Sequence, residues 1–383
     1  MKVLITGGAG FIGSNLSLHL HSLGHEITVL DNLSPQIHGA NPSADSPLFS
    51  SIEGKVNFIK GSVTDVDSWR DALLGQDAVV HLAAETGTGQ SMYEIKRYTE
   101  VNVGGTACLL DLLTNEPHSV SRVVVASSRS IYGEGKYLNA RGDVVYPGAR
   151  SDATMAGGQF EHVDSATGKP LTLVGTDEDS KLHPSSVYGI TKLNQEQMVL
   201  TVCASLGIAG TALRYQNVYG PGQSLSNPYT GILSIFSTRI KNQNPISIFE
   251  DGLESRDFIF ISDVVQATTL ALLRDGNESK VFGIGSGKPT TVLEVANSLV
   301  QAYGINVPIN TTGAYRLGDI RHNFADLRRA RAELSFEPKV SFAEGIAAFT
   351  DWVNNQSVQV DRYEDSIREM KDKGLFKGRT TNT

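Results

Sequence analysis

A glycine repeat between a short apolar run and an amphipathic one constrains this chain more than any other feature. Gly7-x-x-Gly10-x-x-Gly13 directly follows the apolar run Lys2–Thr6. It opens a segment in which Ile12, Leu16, Leu20 and Leu23 recur every three or four residues, with Gly24 as its stop. A strand, a tight glycine turn and a helix in that order bring backbone close to a pyrophosphate, whose charge meets the helix N-terminus. A second apolar run, Glu26–Leu30, ends in Asp31, at the distance of about 20 residues where a dinucleotide site places its ribose-binding acid. A carboxylate there accepts from the ribose hydroxyls and repels the 2′-phosphate of NADP. The next residues, Asn32-Leu33-Ser34, offer no arginine to reverse that preference. The expected cofactor is therefore NAD.

Further short apolar runs at Val56–Ile59, Ala78–Leu82, Val123–Ala126 and Thr211–Leu213 alternate with helical patterns such as Tyr98–Asn115 and Val187–Leu206. That alternation predicts an α/β fold, a Rossmann-type doubly wound parallel sheet. From about Gln216 the rhythm breaks into loops rich in Asn, Pro, Gly and Tyr, which predicts a smaller C-terminal substrate lobe. The expected division is 1–216 plus about 256–283 for the cofactor domain and 217–255 plus about 284–356 for the lobe. A strand is expected at Asp257–Ile261, and residues 357–383 are expected to form a helix and a frayed polar tail. An insertion at about 134–175 lacks a helical period. Gln159–Asp164 and Lys169–Val174 flank a candidate hairpin turn in it. A loop of that length is either a functional decoration of the substrate lobe or an inert excursion.

Composition excludes several classes. The 383 residues are 40% hydrophobic and 19% charged, too apolar for a disordered chain. A net charge of −8 argues against a nucleic-acid surface. Two cysteines, Cys108 and Cys203, are too few for a disulfide framework or a cysteine zinc site. They are expected to be buried free thiols in a reducing compartment. No leader-like cleavage pattern or membrane-length apolar run is visible, so we expect a cytoplasmic protein with no membrane and no nucleic-acid partner.

Tyr188 and Lys192 stand four residues apart on a predicted helix and so share a face. An unperturbed phenol, with a pKa near ~10, is a weak base at neutral pH, but nearby positive charge favours phenolate. Tyr188 is then suited to take a proton from a substrate alcohol as hydride leaves the same carbon. Ser128, at the end of a predicted strand, is placed to hydrogen-bond that oxygen.

The ordered motifs TGGAGFIGS (6–14), His81-Leu-Ala-Ala84, Asn102-Val-Gly-Gly-Thr106, Ser127-Ser-Arg-Ser-Ile-Tyr-Gly133, Tyr188…Lys192, Leu213–Pro221, Arg256–Asp263 and Phe336-Glu-Pro338 resemble the extended short-chain dehydrogenase/reductases, in their sugar-nucleotide epimerase/dehydratase branch. The resemblance implies Ser128, Tyr188 and Lys192 as the catalytic set. It implies an NAD site of Gly7, Gly10, Phe11, Ile12, Gly13, Asp31, Asn32, Val63, Leu82, Ala83, Ala84 and Asn102, completed by Tyr188 and Lys192. For the substrate it implies Thr88, Ser130, Asn217, Arg256, Arg316 and Arg321, with arginine forks suited to a diphosphate. Two departures stand out. Ser62 replaces the acid that meets adenine in many relatives, and Gln216 replaces a common phenylalanine. The resemblance also implies a homodimer, paired through helices Tyr98–Asn115 and Val187–Leu206, whose apolar residues face more than one way.

Dehydratases of this branch carry an Asp-Glu pair immediately after the catalytic Ser/Thr, where this chain has Arg129-Ser130. Without that acid–base pair, elimination of water lacks its catalyst, whereas epimerisation needs only the Ser/Tyr/Lys set and retained NAD. The phrases 87–94, 225–231, 249–252 and 318–322, with the insertion, are similar to 4-epimerases acting on dTDP-linked deoxy-sugars such as dTDP-L-rhamnose. Some such relatives place cysteines in the insertion; this one has none, and no metal is implied. The alternatives are a nucleotide-sugar 4-ketoreductase, a decarboxylase or a dehydratase of the same branch.

Overall fold

A computed structural model describes residues 1–227, 229 and 231–378. Pro228 and Thr230 of the 225–231 phrase, and the end of the expected tail from 379 onward, lie outside the described residues. Seven parallel strands form the main sheet, in the spatial order Lys280–Ile284, Ala209–Tyr215, Arg122–Ser128, Ala78–His81, Lys2–Thr6, Glu26–Asp31, Asn57–Lys60. The order reverses between Lys2–Thr6 and Ala78–His81, so the strands' C-terminal ends part there and leave a crevice. Strands such as Ala78–His81 and Ala209–Tyr215 are buried along their whole length, as a sheet covered by helices on both faces requires.

The helix expected at Tyr98–Asn115 begins earlier and is not uniform. Ile95–Tyr98 runs into a π-helical turn, Thr99–Gly104, and then into Gly105–Asn115. The wider turn sets Asn102 inward, fully buried, a distortion that recurs at functional sites. Val187–Leu206 is a single helix, stopped by Gly207 in the left-handed region. It is bolted to the sheet by a buried ion pair. Arg214 donates from Nη2 to Glu196 Oε1 at 2.6 Å and from Nε to Oε2 at 3.0 Å, while Ser127 Oγ donates to Oε2 at 2.5 Å.

The strand expected near 257–261 runs over Ser255–Phe260 and belongs to the small lobe, pairing with Asn217–Tyr219, Pro289–Thr291 and His322–Asn323. Helices Ile232–Lys241, Val292–Tyr303 and Phe342–Asn354 pack a separate core around Phe236, Ile248, Phe258 and Phe349. Residues 357–378 are more than a loose tail. Tyr363–Asp372 is a helix burying Tyr363, Ile367 and Met370, and Phe376–Lys377 pairs with Tyr315–Arg316.

The insertion is a three-stranded antiparallel sheet with Lys136–Leu138 between Val144–Val145 and Thr172–Val174, plus a short helix, Asp152–Ala156. The turn at 164–168 forms, but only Val163 and Pro170 bridge across it, and Thr172–Val174 pairs elsewhere. Met155 and Phe160 pack on Tyr315 of the lobe. Cys203 is buried, as expected, whereas Cys108 is only half-buried; both are free. No helix among the described residues is long and apolar enough to cross a membrane.

Removing Glu196 strands the Arg214 charge in the interior. Glu196→Ala is expected to cost about 3–5 kcal/mol, read from urea unfolding. A loss below about 1 kcal/mol, the scale of an exposed pair, would show that the long helix is held by packing alone.

Candidate active site

A cleft of ≈ 600 Å³ opens at the reversal point of the main sheet and continues beneath the small lobe. At one end lies the glycine turn. Gly7 holds φ +67°, and a Cβ there would sit 2.9 Å from the Ala83 backbone nitrogen; at Gly13 it would sit 2.2 Å from the Gly7 carbonyl oxygen. Only glycine permits both approaches. Gly10 is the N-cap of Phe11–Ser22 and offers no side chain to it, so the first amides, including those of Phe11, Ile12 and Gly13, are available to an anion.

Asp31, Asn32, Val63, Leu82, Ala83 and Ala84 line this half of the cleft. Ala9 N and Leu33 N donate to the two Asp31 carboxylate oxygens at 3.1 and 2.9 Å. His38, which sequence reasoning passed over, lies 3.8 Å from Asp31 and is bonded to Ser46 Oγ at 2.8 Å. Burial pushes the His38 pKa down against the pull of Asp31. A neutral imidazole leaves the carboxylate charge uncompensated, which favours a ribose hydroxyl over a phosphate. Asn102 does not line the cleft. Its Oδ1 accepts from Glu85 N at 2.7 Å and its Nδ2 donates to Thr191 Oγ1 at 3.0 Å, fastening the cleft loop to the long helix.

At the centre, Ser128, Tyr188 and Lys192 come together on the cleft wall. Ser128 ends its strand and caps the 3-10 turn Arg129–Tyr132, accepting from Ser130 Oγ at 2.9 Å. Burial raises the Tyr188 pKa, while the facing Ser128 hydroxyl and the Arg129 guanidinium lower it. Lys192 is pushed down to about 7 by burial, and its Nζ donates to Gln195 Oε1 at 2.9 Å. Gln195 in turn donates to Thr106 Oγ1 at 2.9 Å, beside His81. Burial and the Lys192 charge hold His81 near a pKa of about 3, so the imidazole of this inner relay stays neutral beside Lys192. Gln195 carries no signal in the sequence, and Arg129 is legible there only as the residue standing where dehydratases have an acid, not as a charge beside the phenol. In the fold, one orients Lys192 and the other places a charge near the phenol, with a buried Nη1 lacking any described partner.

Toward the lobe the cleft is lined by Thr88, Ser130, Asn217, Arg256 and Arg316. Gln216 Oε1 and Asn217 Oδ1 are shielded from solvent and have no partner among the described residues. Arg316 is held by Asp319 at 2.8 Å and lies 5.2 Å over the Phe249 ring. Arg321 is a correction: it does not reach the cleft. Its side chain is fully buried among Glu161, Glu250 and Asp251, so its charge is already neutralised within the protein. The C-terminal helix, unforeseen as a cleft element, contributes Tyr363, Ile367 and Met370 to the wall.

The family model described as "NAD dependent epimerase/dehydratase family" matches residues 3–149 and 160–285. The chain belongs to this family. It is 39% identical over 356 residues to a dTDP-L-rhamnose 4-epimerase of Burkholderia thailandensis, spanning 92% of this chain and 94% of that one. Its fold is similar to a UDP-glucose 4-epimerase of Thermotoga maritima solved with UDP-glucose, with a TM-score of 0.73, 28% identity and coverage of 92% and 99%. A UDP-glucose 4-epimerase of Thermus thermophilus in complex with NAD gives a TM-score of 0.71, 26% identity and coverage of 93% and 100%. The cofactor of this epimerase/dehydratase family member is NAD, and the glycine turn with its ribose acid fits it.

Asp31→Ala should weaken NAD and narrow the gap to NADP, as read by titrating both cofactors against the apoprotein. An unchanged NAD/NADP ratio would show that the ribose is selected elsewhere.

Proposed function

We propose that this chain is a reversible 4-epimerase of a dTDP-linked deoxy-sugar, dTDP-L-rhamnose being the substrate type. The observation that carries the reading is the pairing of Ser128 and Tyr188 beside Arg129-Ser130, where an eliminating relative needs two carboxyl groups. Bound NAD supplies a hydride acceptor that returns what it takes. Tyr188 phenolate accepts the C4 hydroxyl proton as the carbon is oxidised, and gives it back when the 4-keto sugar is reduced on its other face. Ser128 holds the same oxygen, and Lys192, kept in place by Gln195, favours the phenolate. The sugar must turn over between the two half-reactions, so its anchor has to lie away from the ring. Arg256 and Arg316 suit a diphosphate for that purpose. The dTDP and rhamnose assignments rest on the similarity to the Burkholderia thailandensis enzyme together with the motif phrases of this chain.

Tyr188→Phe should retain NAD and lose turnover by about 100-fold or more, the scale of general acid–base catalysis. With substrate deuterated at C4, product should keep the label and added NADH should not be consumed. The label carried to C6 of a product that has lost water, or net NADH oxidation, would point to a dehydratase or a reductase instead.

Arg129 lowers the Tyr188 pKa, so Arg129→Met raises it. The acid limb of the rate–pH profile should then move to higher pH, with activity lost first on the acidic side. An unmoved limb would mean that Arg129 does not act on the phenol.

A further inference from the structure

Among the described residues the insertion places none on the cleft wall, yet its Arg150 reaches both of the loops that build the wall's far end. Arg150 is 4% exposed, and its guanidinium donates in three directions. Nε reaches Glu134 Oε1 at 3.3 Å, Nη1 reaches Glu250 Oε2 at 2.7 Å, and Nη2 reaches the Asp319 carbonyl oxygen at 2.9 Å. Glu250 adjoins Phe249, the ring beneath Arg316, and the Asp319 carboxylate is the one that holds Arg316. Arg321 closes the opposite side, donating to Glu250 Oε2 at 2.8 Å, while its backbone nitrogen donates to Glu134 Oε2 at 2.6 Å.

We propose that Arg150 is a positioning residue for the nucleoside-diphosphate end of the cleft, tying the Glu250 and Asp319 loops together so that Arg316 and Arg256 present their charges at one spacing. The inference rests on the nucleotide-sugar reading above. Four acceptors, the Glu134 and Glu250 carboxylates and the Asp319 and Phe160 carbonyls, the last at 3.4 Å, converge on one planar fork, a geometry that arginine satisfies and lysine does not. Both loops lie at the substrate end, and no described insertion residue lines the NAD half. Loss of the fork should therefore separate the two ligands: nucleotide binding falls and cofactor binding stays.

The test compares wild type, Arg150→Lys and Arg150→Met as NAD-loaded enzymes. Titration with dTDP and with UDP by calorimetry gives nucleotide affinity, denaturation releases and counts NAD, and steady-state kinetics separates KM from kcat. The expected result is nucleoside-diphosphate affinity weaker by about tenfold or more in Arg150→Met, with a smaller loss in Arg150→Lys. KM should rise in parallel and kcat should stay within about twofold, with NAD stoichiometric throughout. Should the methionine variant fail to fold, the lysine variant carries the same comparison. Wild-type affinity in a variant that retains NAD overturns the proposal. So does loss of NAD together with nucleotide in both variants, which makes Arg150 a residue of the fold. Wild type binding neither dTDP nor UDP overturns the nucleotide-sugar reading itself, and this proposal with it.

Discussion

The seating of the long helix Val187–Leu206 on the sheet is the constraint from which the rest of the centre follows. Tyr188, Thr191, Lys192, Gln195 and Glu196 all lie on it, and each is spent on a different neighbour. Glu196 meets Arg214 and Ser127 in the interior. Thr191 meets Asn102 on the π-helical turn, and Gln195 meets Thr106. Ion pairs in a dry interior demand complete partnering, so the helix has little freedom to rotate or slide. Tyr188 and Lys192 inherit that fixity although neither makes the ion pair.

Burial then does electrostatic work in two opposite senses. It disfavours the phenolate of Tyr188 and the ammonium of Lys192 at once. The protein answers with dipoles and charge of its own: the Ser128 hydroxyl and the Arg129 guanidinium at the phenol, and the Gln195 amide oxygen at the ammonium. Further along the cleft, arginine charge that is free to meet a ligand is separated from arginine charge already consumed. Arg256 faces the cavity, whereas Arg321 is surrounded by carboxylates.

That separation marks the boundary of what the sequence could reveal. The placing of the glycine turn, Asp31 and the Tyr188/Lys192 pair along the cleft is legible because it depends on short spacings along one strand or one helix. The parallel sheet is legible from its alternating apolar runs. Arg321 reads as a substrate residue in the sequence because its neutralising partners, Glu161 and Glu250, lie far away in the chain, and no local pattern distinguishes an occupied guanidinium from a free one. The motif around Asn102 points to the cofactor site, but the π-helical turn directs the side chain to Glu85 and Thr191. The C-terminal segment reads as polar because its few apolar residues, Tyr363, Ile367 and Met370, gain meaning only once they share one helical face.

The pairing of Phe376–Lys377 with Tyr315–Arg316 has a consequence for how the protein is born. Translation delivers Lys280–Ile284, the last strand of the large sheet, well before it delivers the helix and strand that finish the wall beside Arg316. Domains fold as units while the ribosome is still working. A nascent chain thus completes the framework of its cofactor half while the other end of the cleft still lacks a side.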